Sequence, residues 1–397
     1  MLEAIVRESR IRVFAGVVNN ERKWIPVCTR VMWPEANGSV IVGRNMDFHQ
    51  DLHTNLWKLP RGVERNDRVE GKLKWTSKYG SVIAGVYDIL STDGVNEKGL
   101  AGHILWLAES EYGDPDPDRP QLAMSVWLQY FLDNFASVAE AVRWVEENNP
   151  QVIPMTDPTG GSKPAIHLAI DDASGDSAIF EYIDGKLDVY HSEDYWVMTN
   201  SPSYDQQLEL VKKYEGLGGD QPLPGTCAAP DRFARATFYV HNQPEPKSRV
   251  QATAAMASII RNAAQPYRIP EPGKPDASTT LWQVVIDLTN PRYIFESVTC
   301  PNVVWVDLKD LDFTEGSGDA KLDLVKGLAV ENGLSGNVAN KFEKHKFHIV
   351  SVEQAKLIGE VAAKAKEGLD STKPIEDRIK TVQEKVDAKL AEFVDAT

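Results

Sequence analysis

The spacing of apolar residues changes period along this chain, and each change marks an element. Segments 39–48 (SVIVGRNMDF), 72–89 and 99–107 (GLAGHILWL) alternate with period two. They are rich in β-branched and aromatic residues and cut by glycine turns, which predicts strands. Over 120–135 (PQLAMSVWLQYFLDNF) and 137–147, apolar positions recur at i, i+3 and i+4, which predicts helices. Ser137 is placed to cap the second of these, with Glu140 three residues on for a capping box. Period two returns over 165–190, a meander with turns at Ser174-Gly175 and Asp184-Gly185, the latter a hairpin signal. Helices are expected at 204–214, 231–240 and 249–262, then a hairpin over 281–298 and a strand over 302–308.

This blocky order of strands, paired helices, strands, helices and strands indicates an α+β fold in which helices cover antiparallel sheets. The composition shifts after about Lys321, and from Ser351 on acids and bases alternate while aromatics nearly vanish. There Ile375, Ile379, Val382, Val386, Leu390 and Phe393 fall three and four apart, one apolar stripe on a helix. Such a stripe docks on its own domain or serves self-association. The chain therefore divides into a leader (1–27), one principal domain (28–325) and a charged, mostly helical extension (326–397). No internal repeat is found.

Bulk composition narrows the function. The 397 residues carry a net charge of −15 and no basic run, which excludes nucleic acid and anionic membrane surfaces as natural partners. No apolar stretch reaches the roughly 18 residues that would span a membrane. In the leader, Arg7, Glu8, Arg10 and Arg12 interrupt any apolar core, so it does not read as a secretory signal. A cytoplasmic location is expected, or a periplasmic one if the start codon is misassigned. Three cysteines, Cys28, Cys227 and Cys300, cannot all pair, so at least one thiol is free.

Cys28 stands in WIPVCTRVMW, between the leader and the first strand. As a nucleophile it needs a base. Of eight histidines only His49, His103 and His167 lie in the strand-rich region, none within a local signature. The alternative base is the α-amino group of Cys28 itself, freed by a cut after Val27. An α-amine has a pKa of about 8, near the optimum for a general base, and a thiol at about 8.5 needs little help to ionise. Arg44 and Asp47, in GRNMDF, lie on the strand expected to return beside Cys28. Arg44 is placed to favour the thiolate, and Asp47 to hold or orient the amine.

The stretches CTRV…GRNMDF, TDGVNEKGLAGHILWLAES, VMTNSPSYDQQL and LPGTCAAPDRFARATFYV resemble the choloylglycine hydrolase family. It comprises penicillin V acylases and conjugated bile salt hydrolases among the N-terminal-nucleophile hydrolases, and the similarity is greatest to the Gram-negative penicillin V acylase group. The resemblance runs in order from Cys28 to about Asp323. It implies a four-layer αββα sandwich, hydrolysis of linear amide bonds in a small acyl amide, no cofactor or metal, and a homo-oligomer, a tetramer. It also implies that Cys28 is the nucleophile, with Arg44 and Asp47 beside its sulfur and amine. Asn200 matches the oxyanion-hole asparagine and Arg232 a second active-site arginine.

Phe48, Trp57 and Trp106 are expected to line an apolar acyl pocket with Met46 as an adaptable wall, while Trp33 is expected in the core. Bile salt hydrolases carry asparagine at Trp106 and many Gram-positive penicillin acylases tyrosine; at Phe48 close relatives carry tryptophan. Trp106 offers one donor, poorly suited to a hydroxylated steroid, which favours flat aromatic or straight acyl chains. Phenoxyacyl penicillins and N-acyl homoserine lactones are the expected substrates. A bile salt hydrolase, and a non-catalytic binding protein that keeps its leader, are the competing readings. Asn96 and Gly99, in VNEKGL, read as turn formers.

Overall fold

The computed structural model describes residues 27–48, 51–155, 164–267, 278–300, 302–328 and 333–367, with isolated positions after 380. The leader up to residue 26, His49, and the stripe from Ile375 to Phe393 lie outside the described residues.

The alternating segment 39–48 forms β2 (Ile41–Phe48), which pairs antiparallel with β1 (Val27–Trp33). The strand that begins at Cys28 is thus returned by the one carrying Arg44 and Asp47. With them, Val197–Met198, Thr279–Asp287, Arg292–Ser297, Val303–Asp307 and Gly336–Asn337 complete a seven-stranded sheet. β1 lies second in it, between Val197–Met198 and β2.

A nine-stranded antiparallel sheet packs opposite. Its order is Lys186–His191, Ser177–Ile183, Ile166–Asp171, Ala101–Trp106, Leu90–Asn96, Ser81–Val86, β3 (Asn55–Leu59), Ala320–Leu322 and Glu343–Lys344. β1 meets Ala101–Trp106 where the sheets face each other. Helices Ala229–His241 and Arg249–Asn262 cover β1 and β2, while Trp127–Asn134 covers Leu90–Asn96 and Ala101–Trp106. The result is the expected αββα sandwich. Two glycines let the helical layers close: a Cβ at Gly43 would stand 2.6 Å from Ile260, and one at Gly102 would stand 2.4 Å from Leu128.

Most predicted elements are present, including helix Val138–Asn148, where the Ser137 side chain accepts from the Glu140 N–H. The helix expected over 120–135 is shorter. Gln121–Ala123 instead pairs in parallel with Gln151–Ile153, Met124–Val126 is a 3-10 turn, and the α-helix runs Trp127–Asn134. Strand pairing, reinforced by the Ala123 N–H donating to the Asp67 carbonyl, overrides the helical periodicity there.

The change in composition near residue 321 does not coincide with a break in packing. Phe347, Ile349, Val350, Ala355 and Ile358 are buried in the same apolar cluster as helix Trp127–Asn134. The last two of these belong to helix Val352–Glu367.

Asn96 does more than form a turn. Its Nδ2 donates to the carbonyls of Leu132 (3.0 Å) and Phe135 (2.8 Å) at the end of helix Trp127–Asn134. Its Oδ1 accepts from the N–H groups of Lys98 (3.0 Å) and Leu100 (3.1 Å). All four bonds belong to a fully buried side chain. Asn96→Ala leaves these backbone groups without their partner and is expected to cost about 2–4 kcal/mol of stability. Chemical denaturation of the variant checks this; a loss no larger than that of a surface alanine substitution would refute it.

Candidate active site

The register of β1 and β2 builds the site. Cys28 lies opposite Met46, and Arg30 opposite Arg44. Side chains at every second position share a face, so Cys28, Arg30, Arg44 and Met46 all point towards the second sheet. The Cys28 sulfur lies 4.0 Å from the Met46 sulfur. Cys28 is buried, and burial raises its thiol pKa. The nearby Arg44 charge, the Asp47 N–H that bonds the sulfur, and Arg232 act in the opposite sense, while the Asp47 charge adds to the rise.

The nitrogen of Cys28 is held as tightly as its sulfur. It donates to Asn200 Oδ1 at 2.7 Å, and Asn200 Nδ2 donates to the Trp106 carbonyl at 2.7 Å. Arg232 Nη2 also donates to Asn200 Oδ1, at 2.6 Å, and its Nη1 donates to Thr29 Oγ1 and to the Cys28 carbonyl. Two donors converging on one oxygen fix the orientation of the Asn200 amide, since the flipped form would set N–H against N–H. Its NH2 group keeps one hydrogen beyond the bond to Trp106. Gln207 clamps the loop around Asn200: Nε2 donates to the Asn200 and Pro202 carbonyls, and Oε1 accepts from Thr199 Oγ1 at 2.6 Å.

Asp47 sits on the other face of β2, towards the helical layer. Its Oδ1 accepts from Thr280 Oγ1 at 2.5 Å, whereas Oδ2 is buried with no hydrogen-bond partner among the described residues. Burial pushes its pKa up to about 6, against the lowering effects of Arg232, the Thr280 bond and Arg44. A buried carboxylate oxygen on the residue paired with Val27 is suited to a positive charge that the intact peptide bond does not supply.

Arg44 is fixed from three sides. Nη2 donates to the Ile104 carbonyl at 2.7 Å, the guanidinium lies 4.7 Å over the Trp282 ring, and Nε is 3.7 Å from Asp93 Oδ2. Asp93 also accepts from Tyr293 Oη at 2.7 Å and lies 2.6 Å from His103 Nδ1. Burial lowers the pKa of His103, which therefore acts as a neutral donor to Asp93. Beyond it, Arg30 Nε donates to Asp171 Oδ2 at 2.8 Å. His103 is thus tied to Arg44 through Asp93 and is no base for Cys28. His167 bonds Glu181 and the Thr199 carbonyl, supporting the Asn200 loop from behind.

An apolar cleft opens on Cys28. Met46, Phe48 and Trp106 line it as expected, together with Leu52, Val86, Tyr87, Leu90, Ile104, Met124, Met155 and Ile166. Trp33 is in the core. Trp57 is a correction: it does not line the cleft but is buried behind it, with its ring centroid 4.9 Å from that of Phe347. Its Nε1 donates to Asp88 Oδ1 at 2.8 Å, so it anchors the Tyr87–Asp88 turn, where both residues have positive φ. The sequence could not show this, because an indole packs equally well in a pocket or in a core.

Fold and site together define a hydrolase of the N-terminal-nucleophile type, an α+β sandwich acting on linear amide C–N bonds. The chain belongs to the choloylglycine hydrolase family of linear amide C–N hydrolases, whose model matches residues 28–323. It is 45% identical over 322 residues to a penicillin V acylase from Pectobacterium atrosepticum, covering 75% of this chain and 85% of that one. It is 27% identical over 238 residues to a bile salt hydrolase/transferase from Clostridium perfringens, covering 53% and 71%. The solved penicillin V acylase from Agrobacterium tumefaciens superposes with a TM-score of 0.73 at 45% identity, over 82% of this chain and all of that one. A mutant of the conjugated bile acid hydrolase from Clostridium perfringens shares the fold, at 21% identity with a TM-score of 0.64, over 74% of this chain and 96% of that one. Among the described residues no group could hold a metal ion, and no helix is long and apolar enough to cross a membrane.

While Val27 remains attached, the raised pKa of Asp47 makes a signed prediction. The folded chain holds this proton more tightly than the unfolded one, so Asp47 favours folding below its ordinary pKa of 3.8. That contribution is lost as pH rises through about 6. In a Cys28→Ala chain, which lacks the thiol, Asp47→Asn should raise stability at pH 8 relative to pH 4 by up to about 3 kcal/mol. Thermal melts at the two pH values measure it, and equal shifts at both would contradict it.

Proposed function

We propose that this chain is a self-processing cysteine amidase in which Cys28, once freed from Val27, is both nucleophile and base. The reading rests chiefly on one juxtaposition. A buried thiol faces an apolar cleft while its own nitrogen is held by Asn200, and on the paired strand Asp47, opposite Val27, keeps one buried oxygen with no partner among the described residues.

In processing, the Cys28 sulfur attacks the Val27 carbonyl, the peptide nitrogen leaves as the new amine, and water hydrolyses the thioester. The ammonium form of that amine sits by Asp47 Oδ2; its neutral form takes the thiol proton. In turnover the thiolate attacks the substrate carbonyl, with Arg44 favouring the charged sulfur. The remaining N–H of Asn200 and neighbouring backbone amides are the donors for the oxyanion, each worth a few kcal/mol, roughly 10²–10³ in rate. The amine then gives its proton to the leaving nitrogen and activates water against the acyl thioester.

The apolar cleft supports acyl groups that are flat and aromatic or straight and aliphatic, as in phenoxyacetyl penicillins and N-acyl homoserine lactones. The 45% identity to a penicillin V acylase favours the same choice. Against a bile salt, the Trp106 indole presents a single donor where hydroxyl groups would need several partners. A homotetramer and a cytoplasmic location, both expected from sequence, belong to the same proposal; sedimentation and cell fractionation test them.

Intact mass and N-terminal sequencing of the purified protein test the processing: the mature chain should begin at Cys28. Cys28→Ser is expected to abolish measurable amide hydrolysis and retain the leader, and wild-type turnover in that variant would end the assignment. Cys227→Ala combined with Cys300→Ala should keep kcat, because the cleft is lined by neither thiol.

Trp106→Asn should reduce kcat/KM for phenoxyacetyl amides by roughly 10–200-fold, the scale of apolar-pocket discrimination. Alkylation of Cys28 by a small reagent should meanwhile persist. An unchanged kcat/KM would remove Trp106 from the pocket wall.

A further inference from the structure

The segment from Glu343 to Ile358 lies beyond residues 28–323, the part that the family model matches, yet it reaches the walls of the cleft. Ser125, which lines the cleft, donates from Oγ to the Val350 carbonyl at 2.7 Å. The Val350 N–H donates to the Ile89 carbonyl at 3.3 Å, within the turn whose neighbours Tyr87 and Leu90 form another wall. One residue of the extension therefore ties two walls that come from different parts of the chain. Phe347 secures the tie. Its N–H donates to Asp319 Oδ2 at 3.0 Å, and its ring packs on Trp57, which in turn holds Asp88. Phe347 and Val350 are 5% and 0% exposed, so the strap is part of the packed interior and no surface appendage.

We propose that this strap is a specificity element: through Val350, with Phe347 as a positioning residue, it fixes how far the 86–90 turn and the Met124–Ser125 turn stand apart, and so which acyl chains the cleft admits. The proposal rests on the reading of this cleft as the acyl site of Cys28. Releasing either tie lets the two walls separate and favours longer or bulkier acyl groups over those that fill the closed cleft.

The test uses the full chain carrying Phe347→Ala or Ser125→Ala, with Phe347→Leu as the conservative control, assayed on straight-chain acyl amides of increasing length. Both alanine variants should raise the ratio of kcat/KM for long over short acyl groups by about tenfold, a methylene-scale effect. Phe347→Leu should return it towards wild type, and the Cys28 alkylation rate of Phe347→Ala should not change. A uniform fall in kcat/KM with the wild-type length profile would overturn the strap and leave Phe347 a residue of the core. A wild-type chain inactive on every acyl amide would overturn the amidase reading instead. Amide hydrogen exchange over 86–90 then decides the strap by itself: faster exchange in Phe347→Ala supports it, and unchanged exchange refutes it.

Discussion

Arg30 and Arg44 face each other across β1 and β2, fully buried, on the side of the sheet that meets the second sheet. Like charges directly opposed on neighbouring strands repel, and without partners this pair would drive the sheets apart. Asp93 and Asp171, on two strands of the opposite sheet, balance them, and His103 sits between the two carboxylates. The two sheets can therefore stack in one register, the one that brings each guanidinium to its acid. Removing one member of such a set leaves a buried charge unmatched, typically a loss of about 3–5 kcal/mol. The position of Arg44 beside Cys28 follows from this arrangement, since the strand register and the facing acid fix it together.

On the far side of β2 the charges are arranged differently. Arg232 is satisfied by Asn200, Thr29 and the Cys28 carbonyl, and its charge draws the pKa of Asp47 below where burial alone would put it. The strand separates two electrostatic environments, one closed and neutral between the sheets, the other beneath the helices with one carboxylate oxygen left over. Cys28 stands at the border, with its sulfur on one side and its nitrogen held from the other.

The β1–β2 hairpin was legible in the sequence, because alternation survives where one face of a strand packs against helices and the other against a sheet. The pairing of Cys28 with the residues of GRNMDF followed from it. Leu90–Asn96 was not recognised as a strand, since its residues Ser91, Thr92, Asp93 and Asn96 are polar and yet buried. Thr92, Asp93 and the Asn96 Nδ2 find their partners on other strands and at a distant helix end, out of reach of any local pattern. Trp57 was misplaced because hydrophobicity does not tell a cleft wall from its backing. The run from Phe347 to Val350 was hidden by its setting: a few core residues inside a charged stretch hardly alter its average composition.

The pairing of Cys28 with Met46 places two oxidisable sulfurs side by side in one apolar wall. A thiol oxidised to the sulfenic acid or a mixed disulfide is recovered by an ordinary thiol reductant, but a methionine sulfoxide is not; it requires a dedicated reductase. A peroxide that enters this cleft meets both. Oxidation of Met46 would set a new dipole and an added oxygen against the nucleophile, in a space shaped for hydrocarbon. Recovery from oxidative damage would then have two tiers, a fast one set by the chemistry of the cysteine and a slow one set by whether a repair enzyme can reach a methionine that is only 5% exposed.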